Sequence, residues 1–353
     1  MSFTFEDLRA AVAAGVLTEA QAASVTTLAN DRAGKRAAMP AEDEPFEFFK
    51  GFSEIFISIG LVILLTGATA LLTVFGGFAL LTLVPLATAA IAWWWAGYFT
   101  LKRRMTLPSM VLASAFGTGI VVFAFTVLAR AEMGERGIAI AGFSLSAIAM
   151  VLWYRHFRLP FSAFLAGAAV LGVVYSVTAS AANLAPIATG NYRLLFDLAE
   201  SPAFATATLL FGIGAFLTGM WFDVRDPHRL GRYAATAFWC HLLAAPALVN
   251  TVAVTLLNGG GTGLLAIALL LITLLALVID RRSFLTAAIV YIAIVIAWLM
   301  DDNSGTAWIF TLLFLGAFIT AIGTWWVQLR ALVMRILPNF PGKSRLPPYG
   351  STE

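Results

Sequence analysis

Charge is what this chain has least of. Asp, Glu, Lys and Arg make up 12% of its 353 residues, about half their usual share in a soluble domain. That scarcity excludes an ordinary water-soluble globule. It also excludes a disordered chain, which needs high charge and low hydrophobicity. Cysteine is nearly missing, and Cys240 alone permits no intramolecular disulfide and no multi-cysteine metal site. The three histidines are His156, His228 and His241, and no HExxH, GxSxG, P-loop or Cys/His metal spacing accompanies them. No catalytic residues, metal or cofactor are therefore expected, and the chain reads as a non-enzyme.

What the sequence has instead is apolar length: 60% hydrophobic residues and a mean hydropathy of +0.89. Runs of 18 residues or more can cross a hydrocarbon core of ~30 Å as helices. Ten are predicted: Phe52–Phe75, Phe78–Leu101, Leu107–Ala129, Gly137–Tyr154, Leu159–Ala182, Ala203–Phe222, Tyr233–Leu257, Thr262–Ile279, Ser283–Met300 and Thr306–Val327. Each is continuously apolar rather than alternating. A lone segment in lipid must also satisfy its own backbone hydrogen bonds, which favours helix over strand. The expected fold is an all-α polytopic transmembrane bundle of about ten spans.

Orientation follows from the bases. Nineteen of the 22 Lys and Arg fall on one side, in the N-terminal tail, Lys102–Arg104, Arg155, Arg158, Arg225, Arg229, Arg232, Arg281, Arg282 and the C-terminal tail; Arg130, Arg136 and Arg193 fall on the other. Both termini are then cytoplasmic. Tryptophans at the span ends (Trp93–Trp95, Trp153, Trp221, Trp298, Trp308, Trp325, Trp326) fit an interfacial belt. The net charge of +3 and pI near 9.2 are explained by this asymmetry, with the bilayer and its anionic cytoplasmic headgroups as partner; nucleic acid is not needed. The first 51 residues are charged throughout and lack an apolar signal-peptide core, so the first span is expected to serve as an uncleaved anchor.

Four regions are expected: a cytoplasmic hairpin (1–30), a linker with an interfacial helix (31–51), the bundle (52–327) and a cytoplasmic tail (328–353). In the hairpin, Thr4 and Asp7 start one helix, Phe5, Leu8 and Val12 share its apolar face, and Gly15 ends it. Thr18 and Gln21 start the second. Thirty residues bury too little to be stable alone, so docking on the bundle or on a cytoplasmic protein partner is expected. Residues 31–44 read as flexible, and Pro45 opens a helix striped by Phe46, Phe49, Phe52 and Phe56. The tail, with Pro338, Pro341, Pro347 and Pro348, reads as interfacial and then disordered.

Two places inside the predicted spans carry chemistry. Glu54 is the only acid or base within the boundaries, four residues from Lys50; it is either a paired, snorkelling interfacial residue or an ion-coupling carboxylate. The seventh span holds Cys240, His241, Pro246 and Asn250. Pro246 cannot donate to the Leu242 carbonyl, so a kink is expected there. His241 lies roughly 12 Å from the span's cytoplasmic end. It is either a hydrogen-bonded core residue or a proton relay or substrate contact, and nine residues separate it from Asn250, so one pocket holds both only if the kink rotates them together. Small-residue steps (Ser109-Ala113-Gly117, Gly137-Ala141, Ala163-Gly167, Ala215-Gly219) suit close helix packing. Outside the spans, Asp223, Asp226 and His228 amid Arg225, Arg229 and Arg232 read as a salt-bridged, lipid-facing loop rather than a metal site. Asp301–Gly305 reads as a turn. The outer loop Asn183–Pro202 is expected to carry a short helix around Tyr192–Ala199.

The stretches AFWCHLLAAPALVN (237–250), IDRRSFLTAAIVY (279–291) and GVLTEAQA (15–22) resemble a family of bacterial multi-span membrane proteins of unknown role with a short N-terminal cytoplasmic hairpin. The resemblance implies a bacterial inner-membrane protein. In that family's pattern Leu is commoner at the place of Cys240 and His at that of Asn250, departures that weaken a metal or two-histidine reading here. Two functions remain: a non-catalytic bundle presenting the hairpin as scaffold or sensor, or a transporter of a small solute or ion centred on the seventh span. For the transporter, ten spans divide into two inverted halves, with Pro85 and Pro246 in corresponding helices.

Overall fold

In the computed structural model the described residues are 5–18, 21–22, 25–26, 51–76, 82–131, 133–179, 189–226, 229, 232–258, 262–282, 284, 307–340, 342–343, 346–347 and 349. Among them every regular element is helical and no strand occurs. Helix α1 spans Phe5–Ala13, α2 Phe52–Phe75 and α3 Val84–Ala96, which runs on as a π-helix over Gly97–Lys102. Then come α4 (Thr106–Leu128), α5 (Glu135–Phe157), α6 (Phe161–Thr178), α7 (Pro202–Asp223), α8 (Arg232–Asn258), α9 (Thr262–Ile279), α10 (Ala307–Thr324) and α11 (Trp326–Ile336).

Six of these, α2 and α4 to α8, are long and apolar enough to cross a membrane, or seven if α10 and α11 form one bent span. The ten predicted spans are thus found in part. Helices α2 and α9 have the predicted bounds. The second span is helical only from Val84 among the described residues, and Pro85 stands in the first turn of α3, where its missing N–H leaves no bond unmade. Pro246 lies inside α8, so the two prolines do not hold equivalent places and the inverted-repeat argument loses its support. The ninth span lies outside the described residues apart from Phe284, as do the linker 31–44, Pro45, Phe46, Phe49, Lys50, His228 and Asp301–Gly305. The tenth breaks at Trp325, where Gly316–Thr324 and Trp326–Ile336 meet at 74°. Helix α11 then continues to Ile336, past the predicted end at Val327.

The chain divides into two compact units. The larger comprises residues 46–219 and 238–270. Its core sets Leu61 and Leu65 of α2, Leu112 of α4 and the small residues Ala92, Ala96 and Ala113 against Met150, Trp153 and Phe157 of α5. Small residues make room for large ones, which is how helices associate where lipid supplies no hydrophobic drive. A Cβ on Gly117 would stand 2.8 Å from Met150 Sδ, and one on Gly119 2.6 Å from the Pro85 carbonyl oxygen. Gly167 is likewise filled by Leu243, whereas Gly137 meets only Met133 at 3.4 Å and plays no such part. Hydroxyls bond locally, as Ser58 to the Glu54 carbonyl at 2.7 Å and Thr251 to the Ala247 carbonyl at 2.6 Å.

The loop before α7 carries its short helix at Tyr192–Leu195. Asp197 behind it is fully buried and accepts from the Ala199 amide at 2.8 Å, while Thr255 of α8 donates to the Phe196 carbonyl at 3.3 Å. The tryptophan belt needs correcting: Trp94, Trp221 and Trp325 are exposed, but Trp153 and Trp326 are buried. Trp153 packs against Trp93, which also stacks on His156 at 5.1 Å. His156 is therefore in the last turn of α5, not in a loop.

The smaller unit comprises residues 1–45, 220–237 and 271–353. Helix α1 ends as predicted. Gly15 has φ +71°, the Val16 amide bonds the Ala11 carbonyl at 2.9 Å and the Gly15 amide bonds that of Val12 at 3.0 Å, which is a Schellman motif. The Thr18 amide donates to Gln21 Oε1 at 2.9 Å and the Gln21 amide to Thr18 Oγ1 at 3.3 Å, a reciprocal capping box. Thr4 lies outside the described residues. On α11 the side chains of Trp326, Arg330, Ala331 and Met334 are buried, a one-sided stripe at helical spacing. The described part of the tail is folded onto this stretch: Arg330 donates to the Pro347 carbonyl at 2.6 Å, and Leu346 is buried.

Candidate functional site

The seventh predicted span is helix α8, unbroken through Pro246 over 27 residues. His241 is fully buried. Its ring lies where a Cβ on Gly219 of α7 would stand, 2.8 Å away, and Phe216 meets it edge-on with centroids 5.5 Å apart. The glycine is thus the reason α7 and α8 approach closely enough to hold the imidazole, and Ala215-Gly219 is the sequence step that signals it. Asn250 is also buried, and its Oδ1 has no hydrogen-bond partner among the described residues. In an unbroken helix nine residues amount to roughly 13 Å of rise and half a turn of rotation, so His241 and Asn250 remain separate places. Cys240 is buried and faces away from His241 by one residue step. The four candidates share a helix and not a pocket.

Glu54 has a partner that sequence spacing did not reveal. It is buried, and Oε2 accepts the Thr106 amide at 3.0 Å and the Leu107 amide at 3.1 Å. These begin α4, whose N-cap residue Met105 offers no side-chain bond of its own. A carboxylate at a helix N-terminus meets unpaired N–H groups and the positive end of the dipole together. Glu54 is therefore a cap supplied by one helix to another. The buried carboxylate does not snorkel to the interface, and its pairing with Lys50 lies outside the described residues.

A second polar constellation, in the smaller unit, went unrecognised. Arg281 makes a two-point ion pair with Asp223, through Nε to Oδ2 at 3.1 Å and through Nη2 to Oδ1, and Nη2 also donates to the Ala234 carbonyl at 3.3 Å. Asp280 gathers three donors: Arg229 Nη2 at 3.1 Å from Oδ2, Arg330 Nε at 3.6 Å from Oδ1, and the Trp326 indole N–H at 2.7 Å from Oδ1. Arg330 Nε also donates to the Leu277 carbonyl at 3.1 Å. Arg229, Arg281 and Arg330 are all buried. The loop read as salt-bridged is so, but against protein and not lipid. Asp226 takes part by accepting the Ala234 amide at 3.3 Å. Arg225, 3.4 Å over the Trp221 ring, and Arg232, 5.4 Å from the Tyr233 ring centroid, are both exposed and fit the expected surface role.

Chemically, this network and the Glu54 cap neutralise and immobilise charge. Buried ion pairs with their remaining hydrogens satisfied hold a geometry, and removing one partner strands the other. Among the described residues no group of three or more His, Cys, Asp or Glu side chains is placed to hold a metal. No family model matches the chain, and neither a curated protein nor a solved structure does.

Proposed function

We propose that the chain is a non-catalytic integral membrane bundle of the bacterial inner membrane, with about ten spans and both termini cytoplasmic, which presents its N-terminal hairpin to a cytoplasmic partner as scaffold or sensor. The observation that carries this reading is the use made of the carboxylate and the imidazole within the predicted spans. Glu54 is spent on capping α4, and the His241 ring is wedged against Gly219 and Phe216. A gradient-coupled transporter needs an intramembrane ionisable group able to meet its ion. The 19-to-3 division of the bases supports the orientation, and the closed Gly15 and Thr18–Gln21 caps support a preformed hairpin.

One observation favours the transporter: the buried Asn250 Oδ1 without a partner among the described residues, a carbonyl of the kind that contacts a solute. Two labelling experiments decide. In a Cys240→Ser background, cysteines at Lys35 and Asp302 should react with an impermeant thiol reagent from opposite faces of the membrane; reaction from the same face refutes the ten-span arrangement. Asn250→Cys should stay unreactive toward small charged thiosulfonates in intact membranes. Rapid modification there would favour the transporter.

A further inference from the structure

A run of three bases, Lys102-Arg103-Arg104, follows α3, and no acidic residue occurs between Glu54 and Glu132. Glu54 reaches this end of the bundle, yet its Oε2 is engaged by Thr106 and Leu107. All three bases are exposed. Beside them α2 and α3, with the π-helical turn that follows, leave an apolar groove of about 730 Å³, lined by Leu61, Leu64, Trp94, Trp95, Tyr98 and Lys102. Leu64 and Trp94 are exposed.

The backbone here is unusual. Gly97–Lys102 is π-helical, with the Arg103 amide bonded to the Tyr98 carbonyl at 2.9 Å, and Arg104 has φ +52°. Arg103 lies outside the lining but is held against its residue Tyr98. Its Nε donates to the Tyr98 hydroxyl at 2.9 Å and its guanidinium stands 5.6 Å from that ring's centroid. An apolar channel ending in two positioned cations, one of them held by a phenol, complements a molecule with an apolar tail and an anionic head.

We propose that this groove is a binding site for one anionic phospholipid, its acyl chain along Leu61, Leu64 and Trp94 and its phosphate between Lys102 and Arg103. The proposal rests on the reading that these helices lie in a bilayer. A zwitterionic headgroup carries its own cation into the same bases and is disfavoured. Arg104 has a left-handed backbone and, unlike Arg103, is not held by the lining residue Tyr98, so it adds only to the general surface field.

The test uses the full chain in phosphatidylcholine vesicles doped with a small fraction of lipid brominated on the acyl chain, with either a phosphatidylglycerol or a phosphatidylcholine headgroup; tryptophan emission is the readout, and Trp94→Phe identifies the reporting residue. The brominated anionic lipid should quench at a severalfold lower fraction than its zwitterionic counterpart. That preference should fall about fivefold in Lys102→Gln and in Arg103→Gln, the size of one base's attraction to an anionic surface, and little in Arg104→Gln. Equal quenching by both headgroups overturns the site. So does an equal effect of all three substitutions, which would mean a diffuse basic surface. Quenching by neither lipid would instead refute the placement of α2 and α3 in a bilayer.

Discussion

The two units handle buried polarity in opposite ways. In the larger unit it is mostly neutral and local: hydroxyls return to carbonyls four residues back, as Ser58, Thr69 and Thr251 do, and packing depends on glycines opposite large side chains. Its buried carboxylates Glu54 and Asp197 both accept backbone amides. In the smaller unit the polarity is ionic and long-range, joining Asp223 to Arg281 and Asp280 to Arg229, Arg330 and Trp326 across 46 to 58 residues of chain. Where bonding is local, shape does most of the matching between helices, helped by a few neutral bonds across them such as Ser146 to the Gly117 carbonyl and Tyr175 to Thr208. Ion pairs demand particular partners and hold segments that few apolar contacts hold.

That contrast is open to breaking at its strongest point. Arg281→Ala should destabilise the protein by about 3–5 kcal/mol, because it strands Asp223 in a buried place. The double variant Asp223→Leu/Arg281→Met should recover most of this loss in thermal unfolding in detergent; no recovery would mean that the pair is not an isolated coupled unit. In the larger unit the largest effects should come from volume. Gly119→Ala puts a Cβ 2.6 Å from a backbone carbonyl and should cost about 1–3 kcal/mol. Gly60→Ala, with nothing within 4 Å, should be neutral or slightly stabilising, as an alanine replacing glycine within a helix. Equal effects at both positions would contradict the close approach of α3 and α4.

Glu54→Ala should cost about 1–3 kcal/mol, leaving two buried amides without an acceptor, and Glu54→Gln less, since its amide oxygen still accepts. If Gln is as harmful as Ala, the negative charge itself matters beyond capping. The smallest effect belongs to the hairpin, where Thr18→Ala should cost about 1 kcal/mol of local helix stability, visible as faster amide exchange at Gln21 and Ala22 with no change in the bundle.

How much of this was legible depended on the range of the interaction. The Gly15 terminus and the Thr18–Gln21 box involve residues within five positions of one another, and their side chains announce them. The bounds of α2 and α9 follow from uninterrupted apolar runs. Glu54 and its amides are 52 residues apart, and backbone N–H groups leave no mark in a sequence. The ionic network hid for a different reason: an Arg at a span's end obeys the same charge asymmetry whether it meets a lipid phosphate or Asp280. The break at Trp325 contains no proline, so nothing local distinguished one straight span from two helices at 74°. His241 was singled out by its rarity, but its close fit came from Gly219 on another helix.

The central claim is that the polar residues of α8 are packed structure and not the wall of a conduit, and the chain carries its own probe for it. Cys240 is the only thiol and adjoins His241. In native membranes of the unaltered protein it should remain unmodified by a small, water-soluble, charged thiosulfonate, and react fully once the bundle is unfolded in denaturant. Prompt modification under native conditions would place water within the packing of α8 at Cys240 and contradict the account.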